Sequence, residues 1–236
     1  EGASDVATFT IGSSTYAIVA SDTDDGVQII DISDPTDIAA TDSETDGVNS
    51  FDELDGAHGV STFTIGSSTY AIVAANADDG VQIIDISDPT NIEATYSMDD
   101  IQDGPLELNG ARGVDVFTID SSTSTTTYAM VTGYADDGVQ IIDINDPAAI
   151  VAKDSKDQVI DDLPLNGARG VATFIINSVV YAIVTGNNSD AVQMFELGNC
   201  ASSDCVYTEA AEVEAASTST SGTCSRHVIL GNCGTI

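Results

Sequence analysis

Positive charge is the scarcest commodity in this chain. Five lysines and arginines face 39 aspartates and glutamates across 236 residues, for a net charge of −34. That imbalance excludes unassisted binding to nucleic acid or to an anionic membrane surface, since both need clustered Lys or Arg. Tryptophan is absent, and no apolar run is long enough to cross a bilayer, so membrane insertion is not expected. Helical periodicity is missing too, apart from a weak stretch at 209–216. Cysteine does not occur before Cys200, and all four (Cys200, Cys205, Cys224, Cys233) fall in the last 37 residues. An even number clustered there, without Cys-x-x-Cys spacing, reads as two disulfides in an oxidising compartment, with three connectivities open. The chain begins at Glu1 rather than Met, which reads as a mature form or an excerpt. Its acidity suits a salty exterior where cations screen self-repulsion. An extracellular or cell-surface location is expected.

What the chain has is repetition. Asp-Asp-Gly-Val-Gln-Ile-Ile-Asp-Ile occurs at 24–32, 78–86 and 136–144, and a degraded copy at 189–197 reads Ser-Asp-Ala-Val-Gln-Met-Phe-Glu-Leu. Each unit opens on a Gly-Ala pair (Gly2-Ala3, Gly56-Ala57, Gly110-Ala111, Gly167-Ala168). Four runs of five to seven residues follow, rich in β-branched and aromatic residues and separated by Gly, Asp, Asn and Pro. They read as a four-stranded meander. The expected class is all-β: about four four-stranded antiparallel blades stacked as an array, because a single unit cannot bury its own apolar faces. The units run 3–56, 57–110, 111–167 and 168–200. Residues 201–236 form a Cys-containing segment that completes or caps the last blade, with 206–208 or Val213 as its fourth strand. Closed ring, excerpt of a larger ring and open array all remain compatible with the repeat count.

The order Tyr-Ala-Ile-Val-Ala, acidic-Gly hairpin, Val-Gln-Ile-Ile-Asp-Ile and Ser-Asp-Pro resembles the LVIVD-type repeat of secreted and surface β-propeller proteins, over roughly residues 3–200. The resemblance implies a propeller and says little about chemistry.

The rare cations are placed with regularity. Two positions after each opening Gly stand Ser4, His58, Arg112 and Arg169. On the first strand of a blade these side chains should converge at one mouth of a central channel, as a ring for an anion or a carboxylate-bearing ligand. The competing role is inter-blade bracing, with Glu107, Asp161 or Asp162 taking the guanidiniums, and bracing is the expected outcome. Asp22, Asp24 and Asp25 suggest a calcium tip, but the following Val-Gln-Ile-Ile offers no further carboxylate. A tight turn with Gly at positive φ accounts for the Asp-Gly pairs without metal. No cofactor is required, and calcium is the one such a tip would take. Asp31, Asp85, Asp143 and Glu196 recur at a strand end and are expected to cap the corner that follows. Asn187 opens an Asn-x-Ser acceptor for a glycan.

Catalytic motifs are lacking: no His-Glu-x-x-His, no Gly-x-Ser-x-Gly, no phosphate-cradling loop. His58 shares its slot with Ser and Arg, which argues against a general base. The sequence therefore favours a non-enzymatic extracellular scaffold whose partners are itself, as a homopolymer or filament, or other surface proteins. The alternative is a lactonase-like propeller hydrolase with a metal at the channel mouth, for which Asp5 and Asp115 are the carboxylates on hand.

Overall fold

A computed structural model describes residues 2–120, 124–198 and 224–228, the last stretch by its backbone alone. Four sheets of four strands follow one another along the chain. The first holds β1 (Ala3–Ile11), β2 (Ser14–Ser21), β3 (Gly26–Asp31) and β4 (Ala39–Thr45); the second β5 (Ala57–Ile65), β6 (Ser68–Ala75), β7 (Gly80–Asp85) and β8 (Glu93–Asp99). The third holds β9 (Ala111–Asp120), β10 (Thr125–Gly133), β11 (Gly138–Asp143) and β12 (Val151–Asp157). The fourth holds β13 (Ala168–Ile176), β14 (Val179–Gly186), β15 (Ala191–Gly198) and β16 (Cys224–Val228). A single helical turn, α1 (Gln158–Asp161), is capped by Asp157, whose carboxylate accepts the Val159 and Ile160 N–H groups.

The last strand departs from the meander. It comes from Cys224–Val228 rather than from 206–208 or Val213, and it runs parallel to β15. A parallel partner cannot be reached by a tight hairpin, which is why the expected meander does not continue here. Cys200, Cys205 and Cys233 lie outside the described residues, as does the side chain of Cys224, and with them the proposed disulfides.

Stacking explains why the repeat carries Val-Gln-Ile-Ile rather than strict alternation. In β7, Val81 and Ile83 pack toward the third sheet while Ile84 packs toward the first, and all are fully buried. Burying each such side chain stabilises the fold by about 1.5–3 kcal/mol. Gln82 sits among them and is satisfied: its Nε2 donates to the Ile83 and Tyr96 carbonyls, and its Oε1 accepts the Asp52 N–H at 3.2 Å. Gln140 repeats this with Ile141, Asp154 and the Glu107 N–H. Across β1–β2 and its counterparts, Phe9–Tyr16, Phe63–Tyr70, Phe117–Tyr128 and Phe174–Tyr181 stack with centroids 5.5–5.7 Å apart.

Three cores result, one between each successive pair of sheets. Among the described residues no core joins the fourth sheet to the first. The first strands β1, β5, β9 and β13 stand side by side in that order.

Two repeated carboxylates hold the corners. Asp31, Asp85 and Asp143 accept the N–H two residues on, from Ser33, Ser87 and Asn145, as a local cap would. The Asp-Gly tips work differently from the expectation. It is Asp25, Asp79, Asp137 and Asp190 that take positive φ, at 50°, 58°, 58° and 50°. Gly26, Gly80 and Gly138 are needed because a Cβ would press on the carbonyl oxygens of Glu44, Met98 and Lys156. The left-handed Asp then reaches the next blade: Asp25 accepts the Gly56 N–H (3.1 Å), Asp79 that of Gly110 (2.7 Å) and Asp137 that of Gly167 (2.6 Å). This latch is what binds one blade to the next through polar groups.

Candidate functional site

The slot holding Ser4, His58, Arg112 and Arg169 coincides with an irregularity in every blade. Pairing of β5 with β6 steps from Ala57↔Ala75 to Gly59↔Ala74 and skips His58. Register shifts also fall between Ala3 and Asp5, between Val131 and Gly133 opposite Arg112, and between Ala168 and Val171 around Arg169. Such a bulge swings its extra side chain out of the pleat. Close strand approach then brings neighbouring slots together. A Cβ at Gly59 or Gly113 would strike the carbonyl oxygen of Arg112 or Arg169. Thr132 ties the latter pair, donating to the Arg169 carbonyl and accepting the Gly113 N–H, both at 2.9 Å.

Electrostatics shows the convergence. His58 is half-buried, and its pKa falls below the ordinary 6.5, first through burial and then through the charge of Arg112, partly offset by Asp22, with Arg169 lowering and Asp5 raising it further down the order. The imidazole is therefore neutral at pH 7. The Arg112 guanidinium lies over the Tyr134 ring, Cζ 4.3 Å from the centroid, and its buried Nε has no hydrogen-bond partner. Tyr134 in turn donates its hydroxyl to Asn188 Oδ1 at 3.5 Å.

The bracing expected of the arginines falls to other groups. Asp161 pairs with Lys156 at 3.4 Å, and Glu107 lies among carboxylates. Arg169 is exposed, and among the described residues no carboxylate pairs with either guanidinium. The aspartate latch, not the arginine, links the blades.

Neither carboxylate set named for a metal forms a site. Asp25 is committed to Gly56, and among the described residues no three His, Cys, Asp or Glu side chains group to hold an ion, Asp22 and Asp24 included. Asp5 accepts the Val60 N–H at 3.0 Å, and Asp115 accepts the Thr173 N–H at 2.6 Å and its hydroxyl at 2.8 Å. Both are fastened to the neighbouring inner strand. A metal at a mouth lined by two guanidiniums would also be repelled, so the donor set does not fit one. Asn187 is exposed on its hairpin, its amide donating to Asn188. A second concavity, about 450 Å³, lies toward the opposite end of the inner strands, lined by residues such as Thr62, Phe117, Thr118 and Ile175, without a titratable group.

Sequence reasoning missed two buried acids. Glu53 is 5 % exposed with Oε2 unpartnered, and burial followed by the charges of Asp78, Asp99 and Asp46 raises its pKa to about 8. Glu107 occupies the same place one blade on and is raised to about 7, chiefly by burial, then by Asp136 and Asp157. The signal was present as Glu-Leu ahead of the opening turns of the second and third units (Glu53-Leu54, Glu107-Leu108).

Comparison with known proteins fits the repeat geometry. The LVIVD repeat family matches residues 12–43 and 67–100. Two of the four units are LVIVD repeats. No curated protein matches the sequence. Among solved structures, an exo-β-1,3-galactanase from Phanerochaete chrysosporium aligns with a TM-score of 0.57 at 11 % identity, over 84 % of this chain and 47 % of that one. A functionally unknown protein from Desulfotomaculum acetoxidans aligns at 0.56 and 17 %, over 82 % and 54 %. The periplasmic gluconolactonase of Pseudomonas aeruginosa aligns at 0.50 and 13 %, over 79 % and 51 %. The chain thus spans about half the length of these structures, and at such identities the likeness is one of fold. It nonetheless corrects the reading as a non-enzymatic scaffold assembling at a surface or into filaments. The four-sheet array shares its fold with a galactanase, a family-43 glycoside hydrolase and a gluconolactonase.

Proposed function

We propose that this LVIVD array is a hydrolytic propeller module whose channel mouth takes a sugar-derived lactone and releases the hydroxy acid. The observation that carries the reading is the convergence of neutral His58 with two guanidiniums that, among the described residues, form no salt bridge to a carboxylate. A repeated cationic slot in a chain of charge −34 holds its charge for a ligand, and the product of lactone opening is an anion. Asn188 and Tyr134 at the rim suit sugar hydroxyls. The gluconolactonase that shares the fold supports the substrate class.

In this reading His58 takes a proton from water as its oxygen bonds to the lactone carbonyl carbon. The charge that develops on the carbonyl oxygen is met by Arg112. Collapse breaks the ring C–O bond, the leaving oxygen recovers the proton from His58, the new acid gives up its own proton to solvent, and the carboxylate rests between Arg112 and Arg169. No metal enters any step.

The test follows glucono-lactone opening by pH-stat, together with calorimetric titration of gluconate. His58→Gln should lower kcat by about 10²–10⁴-fold with gluconate affinity kept, whereas Arg112→Gln should weaken gluconate binding. Turnover indistinguishable from background, or unchanged in His58→Gln, would sink the proposal.

A further inference from the structure

Asn-Gly is a chemical weak point in any polypeptide, because asparagine is thermolabile and glycine puts no side chain in the way of its own backbone nitrogen. The chain has two such pairs, Asn109-Gly110 and Asn166-Gly167, and each lies where one blade passes into the next. Deamidation uses that glycine nitrogen. It gives up its proton and bonds to the asparagine Cγ, the Cγ–Nδ2 bond breaks, and the departing nitrogen takes up a proton and leaves as ammonia. Water then opens the cyclic imide at either carbonyl, giving aspartate or isoaspartate.

In the fold this nitrogen is already engaged. Gly110 donates its N–H to Asp79 at 2.7 Å and Gly167 donates to Asp137 at 2.6 Å, each acceptor belonging to the preceding blade. The acceptor is a carboxylate, so removing the proton would set two negative groups side by side, and like charges oppose that ionisation. The rest of each pair is held as well. Asn109 donates its N–H to Asp136 at 2.8 Å, and the Asn109 and Gly110 carbonyls accept the Ala135 and Tyr134 N–H groups, both at 3.0 Å. The Asn166 and Gly167 carbonyls accept those of Asn188 and Asn187 at 2.9 Å. Both glycines are buried. Ring closure would have to pull the glycine nitrogen off its aspartate and undo the latch between blades.

The first seam shows what the product would look like. Asp55 stands where Asn109 and Asn166 stand, its N–H held by Asp78 at 2.7 Å and the Gly56 N–H held by Asp25. An ordinary aspartate therefore fits the seam. Isoaspartate would not, since it lengthens the main chain by one carbon and carries the glycine N–H away from its acceptor.

We propose that Asn109 and Asn166 are deamidation sites that the latch aspartates hold shut, so that a seam that opens is marked covalently and, as isoaspartate, cannot reclose in register. The co-reactant is water. The proposal goes beyond the hydrolytic reading and stands or falls separately, because its readout is the mass of a named peptide rather than turnover.

The experiment incubates the purified 236-residue chain in mild alkali with and without urea. Peptides carrying each asparagine are then weighed and separated to tell aspartate from isoaspartate. Without urea both sites should stay amide, and in urea both should convert. Asp79→Ala should speed conversion of Asn109 by about ten- to a hundredfold, the factor a hydrogen bond to a charged group is worth, and leave Asn166 at its wild-type rate. Asp137→Ala should do the reverse. If Asp79→Ala fails to fold, Asp79→Gly removes the same acceptor and takes the left-handed backbone without strain. Folded wild type that converts as fast as the unfolded chain overturns the proposal. So does a variant that speeds both asparagines alike, or neither.

Discussion

Glu53→Gln should remove the largest single source of weakening in alkali, leaving that of Glu107. Glu53 is 5 % exposed, and its carboxyl is raised from 4.5 to about 8 by burial, then by Asp78, Asp99 and Asp46. At pH 7 it is therefore protonated in the folded protein, where it shares its proton with Asp99, and ionised in the unfolded chain. The folded state binds the proton more tightly, so this stability is complete below pH 4.5 and is lost as pH rises through 8. At about 1.36 kcal/mol for each pH unit between the two values, the loss is on the order of 5 kcal/mol. That is comparable with the whole stability of a small domain, about 5–15 kcal/mol. Glutamine keeps the shape, is neutral at every pH, and can donate to Asp99 as the protonated acid does. Urea unfolding at pH 5, 7 and 9 and fixed salt is the assay. Wild type and variant should agree to within about 1 kcal/mol at pH 5, and the variant should be several kcal/mol the more stable at pH 9. Two curves that stay parallel from pH 5 to 9 would refute the reasoning, because they would mean that Glu53 ionises alike in both states.

Two further outcomes test the contacts that shape the mouth. Gly113→Ala drives a Cβ into the Arg169 carbonyl and should cost about 1–3 kcal/mol or more, read as a fall in the urea midpoint; a neutral result would show that the inner strands can part. Asp79→Ala leaves the Gly110 N–H without its acceptor and should cost about 1–3 kcal/mol, read as a fall in the urea midpoint; an unchanged midpoint would show that the latch adds nothing.

Much of the fold was legible because it is local. Strand runs, Gly-Ser-Ser turns and the Asp31, Asp85 and Asp143 caps depend on residues within a few positions of one another, and the repeat states them three times. The candidate slot was legible too, since rarity made it conspicuous: two of three arginines and one of two histidines at one repeat position. Its role was not legible. A nearby Glu107 or Asp161 looks like a partner in sequence, but a bulge aims each basic side chain away from the pleat, and Lys156 takes Asp161 instead.

By itself the sequence determined that the chain is a tandem all-β array, where its strands and corners lie, and that its few cations share one position. The tertiary structure alone decided the rest, because the deciding contacts join residues one blade apart. The Asp-Gly pair is the clearest case. Read locally it is a glycine turn; in the fold Asp79 bends left-handed to hold Gly110, and Gly80 is small because the Met98 carbonyl lies against it. Glu53 is an ordinary acidic residue until the second blade closes over it and burial keeps its proton in place.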